Sequence, residues 1–156
     1  MIVAKMVELL SEQATPLPGV LASLAFFKEK GLKIGLATSS YSILVDTILD
    51  TLAIRHYFDT VHSAEHEQFG KPHPAVYLTA ANALGIDPRQ CLVVEDSLNG
   101  VISGKAARMT VLCVPEKTHF PEPKLILADK QFDNLNEVVT YFKENNNGTK
   151  RFRIME

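Results

Sequence analysis

One short stretch, Val93-Val94-Glu95-Asp96, restricts the folds open to this chain more than any other. A run of apolar, β-branched residues ends there in two adjacent carboxylates, and a helical pattern follows. In a parallel α/β sheet, ligands bind at the carboxyl ends of the strands. Two acids at such an end, facing a crevice, suit a hard divalent cation such as Mg²⁺. The alternative is that Glu95 is a surface acid and that Asp96 or Ser97 caps the next helix.

Hydrophobic periodicity along the rest of the chain alternates between helical and strand-like segments. Helical spacing covers residues 2–13, 20–30, 43–52, 75–84, 99–107 and 135–142, and strand patterns cover residues 32–37, 58–61, 91–94 and 110–114. Strands that alternate with helices in this way predict an α/β fold with a parallel sheet. Residues 144–156, which include three successive asparagines, are predicted to be a flexible polar tail.

Composition argues against several classes of function. The chain has 156 residues and a net charge of −2, which predicts one domain and gives no reason to expect nucleic acid as a partner. No apolar run approaches the ~20 residues that span a bilayer, so we expect no membrane insertion. Cys91 and Cys113 lie in apolar, strand-like runs, and we expect two buried thiols of a cytoplasmic protein rather than a disulfide.

Thr38 directly follows a strand pattern and begins a polar turn. Its hydroxyl, together with the N–H groups of Ser39 and Ser40 near a helix start, predicts a phosphate cradle. The same residue types also form an ordinary helix N-cap, so both interpretations stay open at this point.

Lys71 stands before Pro72 and close to Pro74, and the two prolines stiffen its loop. An ammonium held in a fixed direction can neutralise a phosphoryl oxyanion. The alternative is a solvated loop lysine, which is the usual state of this residue type. The nearby Glu65-His66-Glu67 is more typical of a solvated face than of a zinc site.

These segments, in this order, resemble three motifs of the haloacid-dehalogenase superfamily of phosphohydrolases. Gly35-Leu36-Ala37-Thr38-Ser39-Ser40 is similar to its second motif, Gly70-Lys71-Pro72-His73-Pro74 to its third, and Leu92-Val93-Val94-Glu95-Asp96-Ser97-Leu98-Asn99-Gly100 to its fourth. The resemblance extends from residue 16 to residue 139. Within the superfamily the chain resembles sugar-phosphate phosphatases, including 2-deoxyglucose-6-phosphate phosphatase-like enzymes and the related β-phosphoglucomutases.

The resemblance implies a Rossmann-like core over residues 15–143, with residues 1–14 as the remnant of a helical cap domain. It also implies Mg²⁺-dependent hydrolysis of small phosphomonoesters, such as sugar phosphates, through an aspartyl-phosphate. Thr38 would then bond a phosphoryl oxygen beside the Ser39 backbone, and Lys71 would pair with the phosphate and the nucleophile. Glu95 and Asp96 would orient Mg²⁺, directly or through water.

One motif of that family has no counterpart here. Its first motif is Asp-x-Asp-Gly-Thr on a strand in the middle of the sheet, but no aspartate of this sequence has another aspartate two positions later. We therefore expect the chain to lack the nucleophile and to be inactive alone. We also expect a slot between the strands of residues 33–37 and 91–94. That slot would be closed by those two strands themselves or filled by another polypeptide, either a missing N-terminal segment or a second copy, or else the isolated chain would be poorly stable.

Three interpretations follow for the function. The chain is part of a phosphatase whose first segment lies elsewhere, or it is a non-catalytic module that binds a partner chain or a phosphorylated ligand. The third interpretation is an unrelated flavodoxin-like or receiver-like domain, which the order of the three motifs disfavours.

Overall fold

The computed structural model describes residues 2–117, 122–145 and, for the backbone only, 153–155. The described helices are α1 (Ile2–Gln13), α2 (Val20–Glu29), α3 (Ser42–Thr51), α4 (Ala75–Leu84), α5 (Leu98–Ala106) and α6 (Leu135–Glu144). The described strands are β1 (Ile34–Thr38), β2 (Thr60–Ser63), β3 (Cys91–Glu95), β4 (Thr110–Cys113), β5 (Lys130–Gln131) and β6 (Arg153–Met155). The predicted helices and strands are all present, with shifted ends. The largest shift moves β2 from residues 58–61 to Thr60–Ser63.

All these strands are parallel and form one sheet in the order β2-β1-β6-β3-β4-β5. The α/β prediction is therefore confirmed. One part of the tail prediction is wrong, because Arg153–Met155 is a strand in the middle of the sheet rather than flexible chain. Residues 146–152 and 156 of that predicted tail lie outside the described residues. β6 occupies the expected slot, since it pairs with both β1 and β3.

Alternating side chains of the strands build a separate apolar core on each face of the sheet. On β3, Cys91 and Val93 pack with α4 and α5 on one face, whereas Leu92 and Val94 face the core formed with α2, α3 and α6. A strand buried on both faces reads as a continuous apolar run, which explains why β3 was evident in the sequence. Cys91 and Cys113 are both buried and free, as expected.

A carboxylate fixes the start of β1. Asp59, just before β2, accepts hydrogen bonds from the backbone N–H of Ile34 at 2.8 Å and from Lys28 Nζ at 2.9 Å. Asp129, just before β5, forms the equivalent bonds at the start of β4. Each of these two acids therefore joins a lysine of a helix to the strand that follows that helix: Asp59 joins α2 to β1, and Asp129 joins α5 to β4.

Helix α1 is the least integrated part of the described chain. None of its residues is buried, although it packs against α3. Its assignment to a remnant cap, like the boundaries at residues 14 and 143, stays a prediction. Within the part of the chain that the structure describes, no helix is both long and apolar enough to cross a membrane.

Candidate active site

The carboxyl ends of β1 and β3 bring the predicted site residues to one edge of the sheet. Thr38 is the last residue of β1, and Glu95 is the last residue of β3. Lys71 comes from the loop before α4 and reaches both strand ends. Segments far apart in sequence therefore meet at the edge where parallel sheets bind ligands.

Lys71 is held by three different partners. Its Nζ donates to Ala37 O at 3.1 Å, to the Tyr77 hydroxyl at 3.0 Å and to Glu95 Oε1. The same ammonium lies 4.6 Å from the centre of the Tyr77 ring. An ammonium has three N–H donors, so these bonds fix its direction completely. The Lys71 side chain is only 10% exposed, which rules out the solvated loop lysine.

Glu95 is a buried carboxylate whose two oxygens have separate partners. Oε1 accepts from Lys71 and from the Tyr77 hydroxyl, and Oε2 accepts from Ser97 Oγ at 3.2 Å and the Asp96 N–H at 3.2 Å. Burial acts to raise the pKa of Glu95. The positive charge of Lys71 and its hydrogen bond, together with the hydrogen bonds from Tyr77 and Ser97, outweigh this effect of burial. The pKa of Glu95 is therefore lower than its ordinary value. Glu95 is therefore ionised and is not a surface acid.

The start of α5 is shaped to hold that carboxylate. Ser97 is the N-cap, and its Oγ accepts the N–H of Gly100 at 3.1 Å. A Cβ built at Gly100 would overlap the Glu95 carboxyl group, so glycine leaves the space that the acid occupies. Ser97 therefore caps the helix, as the alternative interpretation predicts. The same hydroxyl also donates to the buried Glu95 carboxylate.

Asp96 is exposed at the rim of the same site. Partial desolvation of its carboxyl group and the negative charge of Glu95 raise the pKa of Asp96. The effect reaches Cys113, which pairs with Glu95 in register. Burial and the charges of Glu95 and Asp96 raise the pKa of this thiol to about 11, so it is not a reactive thiolate.

The two acids fit only part of a divalent cation site. Among residues 2–117 and 122–145, no group of three or more His, Cys, Asp or Glu side chains is placed to hold a metal ion. Glu95 is already bonded to Lys71 and Tyr77, so Asp96 is the carboxylate better placed to contact a cation. A cation there would relieve the repulsion between the two acids, but its other ligands must come from outside this group.

Thr38, Ser39 and Ser40 form the turn beyond β1. Thr38 Oγ1 accepts the N–H of Ser40 at 3.1 Å, and Ser63 Oγ donates to the Ser40 carbonyl at 2.6 Å. The N–H of Ser40 is therefore engaged within the turn and is not free for a phosphate, contrary to expectation. Thr38 is not the N-cap of α3, because that position belongs to Tyr41. Ser39 is exposed at the tip of this turn.

Tyr77 is the site residue that the sequence did not reveal. It lies in the first turn of α4, is 0% exposed, and contacts both Lys71 and Glu95. Its position on the apolar face of a helix predicts an ordinary core residue. The available signal was its hydroxyl, because a buried tyrosine needs a hydrogen-bond partner.

Comparison with known proteins places the chain in a family. Residues 3–108 match the model for haloacid dehalogenase-like hydrolases, and the chain belongs to that family. It is 40% identical over 137 residues to Hexitol phosphatase B of Escherichia coli, covering 88% of this chain and 62% of the relative. It is 34% identical over 106 residues to Fructose-1-phosphate phosphatase YqaB of the same species, covering 68% and 55%.

A solved structure shares the fold. The chain superposes on CbbY from Rhodobacter sphaeroides, solved in complex with phosphate, with a TM-score of 0.79 and 27% identity. The match covers 88% of this chain and 64% of CbbY. The chain thus spans less than two thirds of each of these proteins. The similarity to these phosphatases confirms the predicted resemblance to sugar-phosphate phosphatases.

Proposed function

We propose that this chain forms the phosphate-binding part of a phosphatase that hydrolyses small phosphomonoesters, sugar phosphates in particular. The observation that carries the proposal is the buried Lys71 ammonium beside the carboxyl ends of two parallel strands. The relatives named as hexitol and fructose-1-phosphate phosphatases support the substrate class. A fixed ammonium at this place is suited to a phosphoryl group, whose charge it stabilises as a bond breaks.

The contacts suggest how the residues of this chain would act. Of the three partners of Lys71, the Ala37 carbonyl is neutral and belongs to a strand end. A phosphoryl oxygen would replace it more readily than it would replace the Glu95 carboxylate, which balances the charge of Lys71. The Thr38 hydroxyl, one residue further along β1, would donate to a second oxygen, with the Ser39 backbone beside it. Glu95 then serves to hold Lys71 in place.

We further propose that the reaction depends on Mg²⁺ and on a nucleophile from outside this sequence. Asp96 would contact the cation and Glu95 would act through water. The cation would offset the charge of the phosphoryl oxygens when bound. The attacking group would be an aspartate, which forms an aspartyl-phosphate that water hydrolyses. No Asp-x-Asp pair occurs in this chain, so we expect the 156 residues to be inactive alone.

A non-catalytic module is the second candidate, and the position of β6 favours it. β6 lies between β1 and β3, where the family resemblance puts the strand that carries the nucleophile. A chain that fills this position with Arg153–Met155 can bind a phosphorylated ligand without turning it over. Both candidates predict phosphate binding through Lys71, and they differ in turnover once the missing strand is supplied.

Two measurements test the proposal. A ³¹P NMR titration of orthophosphate with the whole chain should show saturable binding. Binding should be weakened at least tenfold by Lys71→Met, measured at a temperature at which circular dichroism shows this variant folded, and unchanged by Lys105→Met on the exposed face of α5. Assays with hexitol and hexose phosphates and Mg²⁺ should show no turnover by the chain alone. Turnover that disappears in Asp96→Ala would prove the inventory of catalytic groups wrong, and phosphate binding unaffected by Lys71→Met would refute the binding site itself.

A further inference from the structure

A cavity of about 510 Å³ lies beside β2, at the outer edge of the sheet. Among the described strands, β2 is the last one on that side and pairs only with β1. Val45 of α3 and Thr79 of α4 both line the cavity, although these two helices pack on opposite faces of the sheet. The cavity therefore lies between the two helix layers, over the edge of β2 that no described strand covers. Small-molecule sites have volumes of roughly 300–1,000 Å³, so it has the size of a ligand site.

The cavity is separate from the candidate active site. Its lining does not include Thr38, Lys71 or either of the acids at the end of β3. The two sites share one wall, because Ser63 lines the cavity and its Oγ donates to the carbonyl of Ser40, in the turn beyond β1. A molecule in the cavity would therefore lie next to that turn without contacting the ammonium that we assign to phosphate binding.

The lining of the cavity carries more negative than positive charge. Its charged members are Asp46, Arg55 and Glu67. The Arg55 guanidinium already pairs with two carboxylates, those of Asp46 at 2.8 Å and Asp50 at 2.9 Å. Glu67 is partly buried, and no hydrogen bond or ion pair joins its carboxylate to another described residue. A cleft lined by one sign of charge attracts ligands of the opposite sign, so this lining favours a cation.

Two imidazole rings add hydrogen-bonding groups to the lining. His62 Nε2 lies 2.6 Å from Thr60 Oγ1, and His66 Nε2 lies 2.9 Å from Ser42 Oγ. A neutral ring whose Nε2–H donates to its hydroxyl partner leaves Nδ1 as an acceptor. The three N–H donors of an ammonium can be shared among such acceptors and a carboxylate. Among residues 2–117 and 122–145, no three His, Cys, Asp or Glu side chains are grouped to hold a metal ion, so these acceptors suit an organic cation better.

We propose that this cavity binds an aliphatic organic cation, in which an ammonium group ends a hydrocarbon chain. Glu67 would pair with the ammonium, and the rings of His62 and His66 would accept its other N–H groups. The apolar side chains of Val45 and Val61, which also line the cavity, would contact the hydrocarbon chain. The ligand is either a free amine or the side chain of a lysine in a peptide. The inference rests on the cavity and its charges and is independent of the proposed phosphatase activity.

The test titrates the whole chain with butylammonium at constant ionic strength and at about pH 8, where an ordinary imidazole is neutral. ¹H–¹⁵N NMR of the imidazole rings should show saturable shifts of His62 and His66. Glu67→Gln keeps the shape of the side chain and removes its charge, and it should raise the Kd of butylammonium at least tenfold. Glu144→Gln changes an exposed acid at the end of α6 and should alter this Kd less than twofold.

Two comparisons use the unmodified protein alone. Butanol has the same hydrocarbon chain without the charge and should bind at least tenfold more weakly than butylammonium. A lysine blocked at both ends should bind more tightly than butylammonium if the ligand is a side chain in a peptide, and no more tightly if it is a free amine. Absence of saturable shifts, equal affinities for butylammonium and butanol, or equal effects of the two glutamate substitutions would overturn the proposal.

Discussion

Lys71 and Glu95 form an ion pair in which the lysine side chain is 10% exposed and the glutamate side chain 7%. Charges are rarely buried without a partner, because removing them from water costs several kcal/mol each. Here each charge neutralises the other. The Tyr77 hydroxyl accepts a hydrogen bond from Lys71 and donates one to Glu95. The pair therefore joins the loop before α4 to the end of β3, which are separated by more than twenty residues of sequence.

Removing one member of this pair should be strongly destabilising. In Lys71→Met, the Glu95 carboxylate stays buried without its counter-charge, and we expect a loss of about 3–5 kcal/mol in the free energy of unfolding. Urea denaturation measures it. Lys5→Met breaks an exposed pair with Glu8 on α1 and should cost less than about 1 kcal/mol.

A double variant separates charge from packing. In Lys71→Met combined with Glu95→Leu, no charge is left unpaired, and part of the stability lost in Lys71→Met should return, although the Tyr77 hydroxyl loses its bonds to both residues. Equal losses in the single and double variants would contradict the assignment of the cost to an unpaired carboxylate.

Gly100→Ala tests the space reserved for Glu95. The added methyl group would overlap the carboxyl group, so the acid must move away from Lys71 or α5 must shift. We expect a loss of about 1–3 kcal/mol, as for other overpacked sites. Asn99→Ala changes an exposed neighbour on the same helix and should alter stability by no more than about 0.5 kcal/mol. Similar values for the two variants would show that the site tolerates a side chain at position 100.

The sequence predicted those parts of the fold that local patterns determine. The apolar run of β3 was evident because a strand buried on both faces needs such a run, and the acids Glu95 and Asp96 interrupt it. Lys71 was singled out from its neighbouring prolines, and in the structure its ammonium is held by Ala37 O, the Tyr77 hydroxyl and Glu95. Its partner Tyr77 was not identified, because periodicity records only that a side chain is buried and not what its hydroxyl contacts.

β6 could not be predicted for a different reason. Arg153–Met155 is three residues long and follows a polar stretch, so no period of two can be recognised in it. Its place depends on pairing with β1 and β3, each more than fifty residues away in sequence. Pairing over such a distance is set by the tertiary structure and has no local signature.

Acid should weaken the protein partly through Asp59 and Asp129. Burial acts to raise the pKa of each acid. This effect of burial is outweighed by a hydrogen bond from a strand N–H and by a helix lysine, which is Lys28 for Asp59 and Lys105 for Asp129. The pKa of each acid is therefore lowered. A carboxyl group whose pKa is lower in the folded state stabilises the protein above its unfolded pKa of about 4, and this stability is lost as the pH falls through the folded value.

Asp59→Asn with Asp129→Asn should therefore reduce stability at pH 7, by at most about 1 kcal/mol for each partly exposed group, and flatten the decline below pH 4. Urea denaturation between pH 7 and pH 3 measures both effects. The control is Asn99→Gln, an exposed residue of α5 without a carboxyl group, which should leave the slope unchanged. A slope that the double variant does not alter would assign acid sensitivity to other carboxylates.

Tyr77→Phe should distinguish a hydroxyl that tunes the site from an aromatic ring that only fills space. Phenylalanine keeps the ring and removes the O–H that donates to Glu95, so we expect a loss of about 1.5–3 kcal/mol in the free energy of unfolding, typical of a hydrogen bond to a charged group.

The hydroxyl of Tyr77 is one of the causes that lower the pKa of Glu95, and its removal must raise that pKa. Glu95 then binds a proton at a higher pH, so the stability that its charge provides is lost earlier as the pH falls, and the midpoint of acid unfolding moves upward. Tyr41→Phe, at an exposed position, should leave both the stability and the midpoint unchanged. A loss of stability that is the same at every pH between 7 and 3 would assign Tyr77 a packing role alone.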